Sequence, residues 1–140
     1  MTDELLVQRT INRYSEAASR ADWDEVLSTY VSNGVWEIPA FSLRFEGHDA
    51  VRGGLLKFAD PMDYIVQLNA PALINLDGSG AIARSVIREC GKYAGRDEGL
   101  EVLGIYADRL VRLSDGWKFA HRIFELRGMH SFPLMPAAAQ

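Results

Sequence analysis

Two side chains in the C-terminal third of this chain have the chemistry of an acid–base pair, Asp108 and His121. An imidazole titrates close to neutrality, and a nearby carboxylate can tune or orient it. His121 alternates along an extended run with Trp117, Phe119, Ile123 and Glu125, which places it on one strand face with them. That face is read as facing a cavity, with Asp108 or Glu125 as the tuning carboxylate. The competing reading is a half-buried histidine at a subunit interface. Asp108 shares its alternation with Val102, Gly104, Tyr106, Leu110 and Arg112, while Leu103, Ile105, Ala107, Val111 and Leu113 make a more uniformly apolar face. A mixed face suits a pocket wall carrying a few placed polar groups. The alternative pairs Asp108 with Arg109, Arg112 or Arg122 at a dimer interface. Tyr14, Tyr30, Trp36, Phe41 and Phe45 supply either pocket lining or core. Arg84, Arg88 and Glu89 are expected to pair as ions on the outer face of a sheet.

Other chemistries find no support. His48, His121 and His130 lack metal-type spacing, and there is no P-loop, dinucleotide fingerprint or G-x-S-x-G elbow, so neither a metal nor a cofactor is expected. The net charge of −4 and the lack of a basic run argue against nucleic-acid binding. No apolar stretch approaches the ~18 residues of a membrane span. An acidic N-terminus without a signal core and a lone Cys90, expected as a small buried residue, suit a cytoplasmic protein.

The elements that position these residues follow from local signals. Thr2 caps a helix over 3–20, whose stripe is Val7, Ile11, Tyr14, Ala18 and Ala21. Asp22 caps a second helix with Trp23, Val26, Leu27 and Tyr30 inward, stopped by Asn33-Gly34. Short extended pieces at 35–38 and 41–45 precede a third helix from His48 to Phe58. The chain then turns strand-rich. Segments 64–68 and 72–76 flank Pro71, Asp77-Gly78-Ser79-Gly80 makes a hairpin turn, and 81–93 returns. A long hairpin from Leu100 to Gly128 folds at Ser114-Asp115-Gly116. Helices first and antiparallel strands after predict one α+β domain over 1–128, with three N-terminal helices covering a strongly curved sheet. Residues 129–140 are expected as a tail, flexible or lying over the pocket mouth.

Four stretches, Ala21–Ile38, Phe45–Phe58, Leu73–Ser85 and Gly104–Arg122, together with Tyr14, resemble the SnoaL-like branch of the NTF2-like superfamily. The resemblance implies a cone-shaped α+β barrel, a homodimer or small oligomer packed through its sheet, with a homodimer expected here, and an interior pocket for a small apolar or aromatic ligand. Relatives include scytalone dehydratase, hexachlorocyclohexane dehydrochlorinase, ketosteroid isomerase, polyketide cyclases and small subunits of ring-hydroxylating dioxygenases. In the dehydratase and dehydrochlorinase branch an aspartate and a histidine act together. Their positions fall here on Ser19 and Gln67, and neither side chain titrates near neutrality. The expected activity is a cofactor-independent lyase or isomerase moving a proton on a cyclic or aromatic compound. Asp108 or His121 would be the acid–base group; Tyr14, Ser19, Gln67 and Tyr106 would orient the substrate, and Trp36 would line the pocket. The alternatives are a non-catalytic ligand-binding protein and an assembly partner resembling a dioxygenase small subunit.

Overall fold

A computed structural model describes residues 1–135. Helix α1 (Asp3–Ser19) begins where the Thr2 hydroxyl accepts a hydrogen bond from the Leu5 amide at 3.2 Å, with Asp3 and Glu4 in the favoured first turn. Its inward stripe, Val7, Ile11, Tyr14, Ala17 and Ala18, is buried. Ala21 leaves the stripe, because it sits at φ 58° and is exposed. This left-handed residue ends α1 where a glycine is more usual.

Asp22 caps helix α2 (Trp23–Ser28) through the Glu25 amide at 3.1 Å. The helix stops at Ser28, five residues short of the expected Asn33. Strand pairing overrides the helical pattern there: the Phe119 amide donates to the Thr29 carbonyl at 2.7 Å, and strand β1 (Tyr30–Ile38) starts at once. A 3-10 turn at Pro39–Phe41, strand β2 (Leu43–Glu46) and helix α3 (His48–Ala59) follow.

Strands β3 (Met62–Asn69), β4 (Leu73–Asp77), β5 (Gly80–Tyr93), β6 (Glu98–Leu113) and β7 (Gly116–Pro133) complete one curved sheet in the order β2-β1-β7-β6-β5-β3. All pairings are antiparallel except β1 with β7. β3 and β4 both pair with β5, and the break at Ala70-Pro71-Ala72 adds one residue, as a proline inside a strand run requires. The long strands turn at Gly78-Ser79 and at Ser114-Asp115, where the alternating apolar runs are interrupted. β7 runs to Pro133, with Phe132 opposite Gly99, so Met129–Pro133 belong to the sheet rather than to a tail. The last five residues of the expected tail lie outside the described residues.

The inner face of the sheet packs on α1. Ala81, Ala83, Ser85 and Ile87 of β5 and Tyr106, Asp108 and Leu110 of β6 are buried there. On β7 the buried set changes parity, from Trp117 and Phe119 to Arg122 and Phe124. The cause is a bulge: Leu110 pairs with Phe119 but Arg109 with His121, leaving Ala120 as an extra residue. No helix among the described residues is long and apolar enough to cross a membrane.

Candidate functional site

Between α1, α3 and the inner face of the sheet lies a cavity of about 110 Å³. α1 contributes Tyr14 and Ala18, and α2 contributes Trp23. From β1 come Trp36 and Ile38, and α3 supplies Leu55 and Phe58. The long strands add Gln67, Glu89, Tyr106 and Phe124, and Met129 closes one side. Gly104 makes room for this wall. A Cβ there would stand 2.3 Å from the Phe124 ring, so only a residue without one lets that ring lie across β6 into the cavity.

Glu89 is the acidic group of the cavity, and it is not on the outer face with Arg84 and Arg88. Those two stay exposed and pair with Glu125 at 3.7 Å and Glu101 at 2.6 Å. Glu89 has the opposite parity on β5 and stands directly across from Gln67 of β3. It is half-buried as a residue because its surface opens into the cavity. Shielding from bulk water, partly offset by the Gln67 side-chain amide, raises its carboxyl to about 7. A carboxyl titrating near neutrality among aromatic walls can hold or release a proton at working pH.

Asp108, Tyr106 and Arg122 lie together beneath this cavity. Asp108 is 3% and Arg122 0% exposed. The Arg122 Nε donates to Asp108 Oδ1 at 2.7 Å and its second nitrogen to Oδ2 at 3.0 Å. Burial pushes the Asp108 carboxyl up and Arg122 draws it down, leaving it above its ordinary value. The guanidinium also stacks on Tyr106 at 3.7 Å, Phe119 at 4.2 Å and Tyr14 at 4.4 Å. Among the described residues, the hydroxyls of Tyr14, Tyr30 and Ser85 and one Arg122 nitrogen are buried without a hydrogen-bond partner.

The expected site residues therefore separate. Tyr14, Trp36, Gln67 and Tyr106 line the cavity. Asp108 spends both carboxylate oxygens on Arg122, one of the three arginine partners anticipated for it. His121 lies on the sheet face opposite Arg122 and Phe124, because the Ala120 bulge reverses the parity shared with Phe119. Its Nε2 meets Glu37 Oε1 at 2.7 Å. Ser19 sits behind Gln67 in a polar recess between α1 and β3, accepting from the Gln67 amide at 2.9 Å and donating to the Ser15 carbonyl at 2.8 Å. Phe41 lines the cavity, whereas Tyr30 packs edge-on against Tyr14 and Phe45 packs on Trp36. Glu89 is the residue that sequence reasoning assigned to the wrong face. The signal was present, since small and apolar residues occupy the same parity from Ala81 to Ile87.

Comparisons with known proteins agree on the architecture. A candidate scytalone dehydratase from Novosphingobium aromaticivorans superposes with a TM-score of 0.84 at 20% identity, over 98% of this chain and 95% of that one. A candidate aromatic ring hydroxylase from the same organism gives 0.84 at 21% identity, over 93% of each chain. A type 2 hexachlorocyclohexane dehydrochlorinase (LinA) gives 0.83 at 10% identity, over 95% and 93%. At these identities the likeness establishes the NTF2-like fold alone. No functionally curated protein matches the chain. The model of the SnoaL-like domain matches residues 1–123. The chain thus belongs to the SnoaL-like domain family.

Proposed function

We propose that this protein binds a small cyclic or aromatic compound in the cavity and acts on it as a lyase or isomerase, with Glu89 as the group that takes and returns a proton. The observation that carries this reading is one carboxyl, raised to about 7, inside a cavity otherwise walled mainly by aromatic and aliphatic side chains. A general acid or base works best with a pKa near the operating pH, and contributes roughly 10²–10⁴-fold. Gln67 orients the carboxyl, and Tyr14 and Tyr106 present their hydroxyl-bearing rings to the ligand. The Asp108–Arg122 pair, beneath both rings, acts as a positioning element. Ser19 holds the strand that carries Gln67.

The test is hydrogen–deuterium exchange in D₂O, followed by NMR, on a panel of cyclic and aryl ketones such as 2-tetralone. Wild-type protein should accelerate exchange of the acidic C–H. Glu89→Gln should remove roughly 10²–10⁴-fold of that rate. His121→Ala, on the opposite face of the sheet, should keep it within a few-fold. Exchange that survives Glu89→Gln would sink the assignment. A second reading, ligand binding without turnover, draws support from Ser19 and Gln67 standing where the resemblance expects an aspartate and a histidine.

The same reading includes a homodimer packed through the outer sheet face. Tyr64, Leu68, Ile82 and Val86 are each about half exposed on that face, an apolar surface of the kind that marks an interface. Light scattering should return twice the mass of the 15.6 kDa chain. A monomer at micromolar concentration would count against it.

A further inference from the structure

Among the described residues, two carboxylates stand on the inner side of the sheet, Asp108 and Glu89, and of these Asp108 alone has a cation beside it. Asp108 closes on Arg122, and the guanidinium is enclosed by Tyr14, Tyr106 and Phe119. Glu89 lies on the neighbouring strand, in a cavity that has Tyr14 and Tyr106 as shared walls and adds Trp36, Phe58 and Phe124. Its carboxyl and these rings repeat the chemistry of the lower layer. Among the described residues, no Lys, Arg or His side chain lines the cavity beside it. Burying an ionised carboxylate without a counter-charge is costly, and a cation between a carboxylate and aromatic faces offsets that cost.

We propose that the cavity takes a small organic ammonium compound, an aryl amine with one oxygen acceptor, whose nitrogen sits on Glu89 and whose ring packs among the aromatic walls. Three cavity-lining residues carry buried polar atoms that lack a partner and so define the rest of the ligand. Gln67 Oε1 is an acceptor beside Glu89, placed to take a second ammonium N–H. The Trp36 indole N–H and the Tyr14 hydroxyl are donors, and they call for an oxygen on the ligand. An arylalkanolamine meets all of them. The inference rests on the cavity being the ligand site and not on turnover.

Binding of such a ligand is linked to pH through Glu89. The groups that face it are Gln67 from β3, Tyr14 from α1 and Tyr106 from β6, with Arg122 of β7 and Asp108 of β6 behind the tyrosines; α3 presents Leu55 and Phe58. Burial holds both tyrosines above their ordinary value, and Arg122 stays charged against Asp108. Glu89 is the cavity group that ionises between pH 5 and pH 8.

The experiment is calorimetry with 2-amino-1-phenylethanol and its neutral counterpart 1-phenylethane-1,2-diol from pH 5 to pH 8, with tryptophan fluorescence as a second signal. The amine should bind at least tenfold more tightly than the diol at pH 8. Its affinity should rise with pH by up to about tenfold per unit and level off above 7. Glu89→Gln should erase the preference, bringing the amine and diol affinities to within about threefold of each other at every pH. Equal binding of the diol at pH 8, or an amine affinity that is flat or falls with pH, overturns the ammonium assignment and leaves the cavity as a site for neutral ligands. No binding of either compound at millimolar concentration, with the fluorescence unmoved, overturns both.

Discussion

Replacing Glu89 by glutamine should change how the stability of this protein depends on pH, by an amount set by the cavity. The ordinary carboxyl value of 4.5 describes the unfolded chain, and burial raises it to about 7 in the folded one. The folded state thus holds this proton more tightly than the unfolded state. The associated stability is full below pH 4.5, declines as pH rises towards 7, and is gone above it. The interval between 4.5 and about 7, at 1.36 kcal/mol per pH unit, corresponds to about 3 kcal/mol. Glutamine keeps the size and the amide contact to Gln67 but does not titrate. Urea unfolding at fixed protein concentration, followed by fluorescence at half-unit steps from pH 4 to pH 8.5, measures both proteins. The stability of wild type minus that of Glu89→Gln should fall by about 3 kcal/mol across this range, mostly between pH 4.5 and pH 7. Subtracting the variant removes the surface carboxylates common to both. A difference curve flat to within about 0.5 kcal/mol would refute the burial of this carboxyl, and with it the acid–base role.

Other perturbations test other parts of the structure. Arg122→Met leaves Asp108 buried and uncompensated, so it should destabilise by about 3–5 kcal/mol, and adding Asp108→Asn should restore a large part of the loss in a double-mutant cycle. Ala21→Gly relieves a left-handed alanine at the end of α1 and should raise stability by about 1 kcal/mol, seen as a higher urea midpoint with unchanged slope. Gly104→Ala drives a methyl into the Phe124 ring; it should lower the melting temperature and shrink the cavity, and unchanged stability would show that the ring is free to move aside. Val86→Lys lies on the exposed sheet face and should convert the proposed dimer to a folded monomer, read by light scattering with circular dichroism unchanged.

What was legible in the sequence was local. The caps at Thr2 and Asp22, the turns at Gly78-Ser79 and Ser114-Asp115, and the interruption at Pro71 each act within a few residues, and each is found where its chemistry requires. The mixed face of β6 was also readable, because Tyr106, Asp108 and Leu110 alternate without interruption and are buried together. The face of His121 was not. It depends on an extra residue at Ala120, in a stretch with no glycine or proline to announce it, and the register there is set by β6 on one side and β1 on the other. The helix expected to reach Asn33 failed for a similar reason, since a strand remote in sequence claimed Thr29 and Tyr30. Glu89 was a different case. Its alternation with Ala81, Ala83, Ser85 and Ile87 marks the inner face, but charge outweighed periodicity in the reading of Arg84, Arg88 and Glu89 as one outer group.

The single surplus residue at Ala120 bears on how such a chain diverges. Up to Phe119 the odd-numbered side chains of β7 face inward, and from there to Leu126, before a second extra residue at Arg127, the even-numbered ones do. Deleting one amino acid here would exchange the two sets from that point to the end of the strand. Arg122 and Phe124 would turn outward, and His121, Ile123 and Glu125 would turn towards the interior. A one-codon deletion would thereby rewrite both the ligand wall and the outer surface, a change that substitutions could reach only through several intermediates with charges buried and unmatched. Insertion and deletion along this strand are a route by which folds of this shape can acquire new pockets.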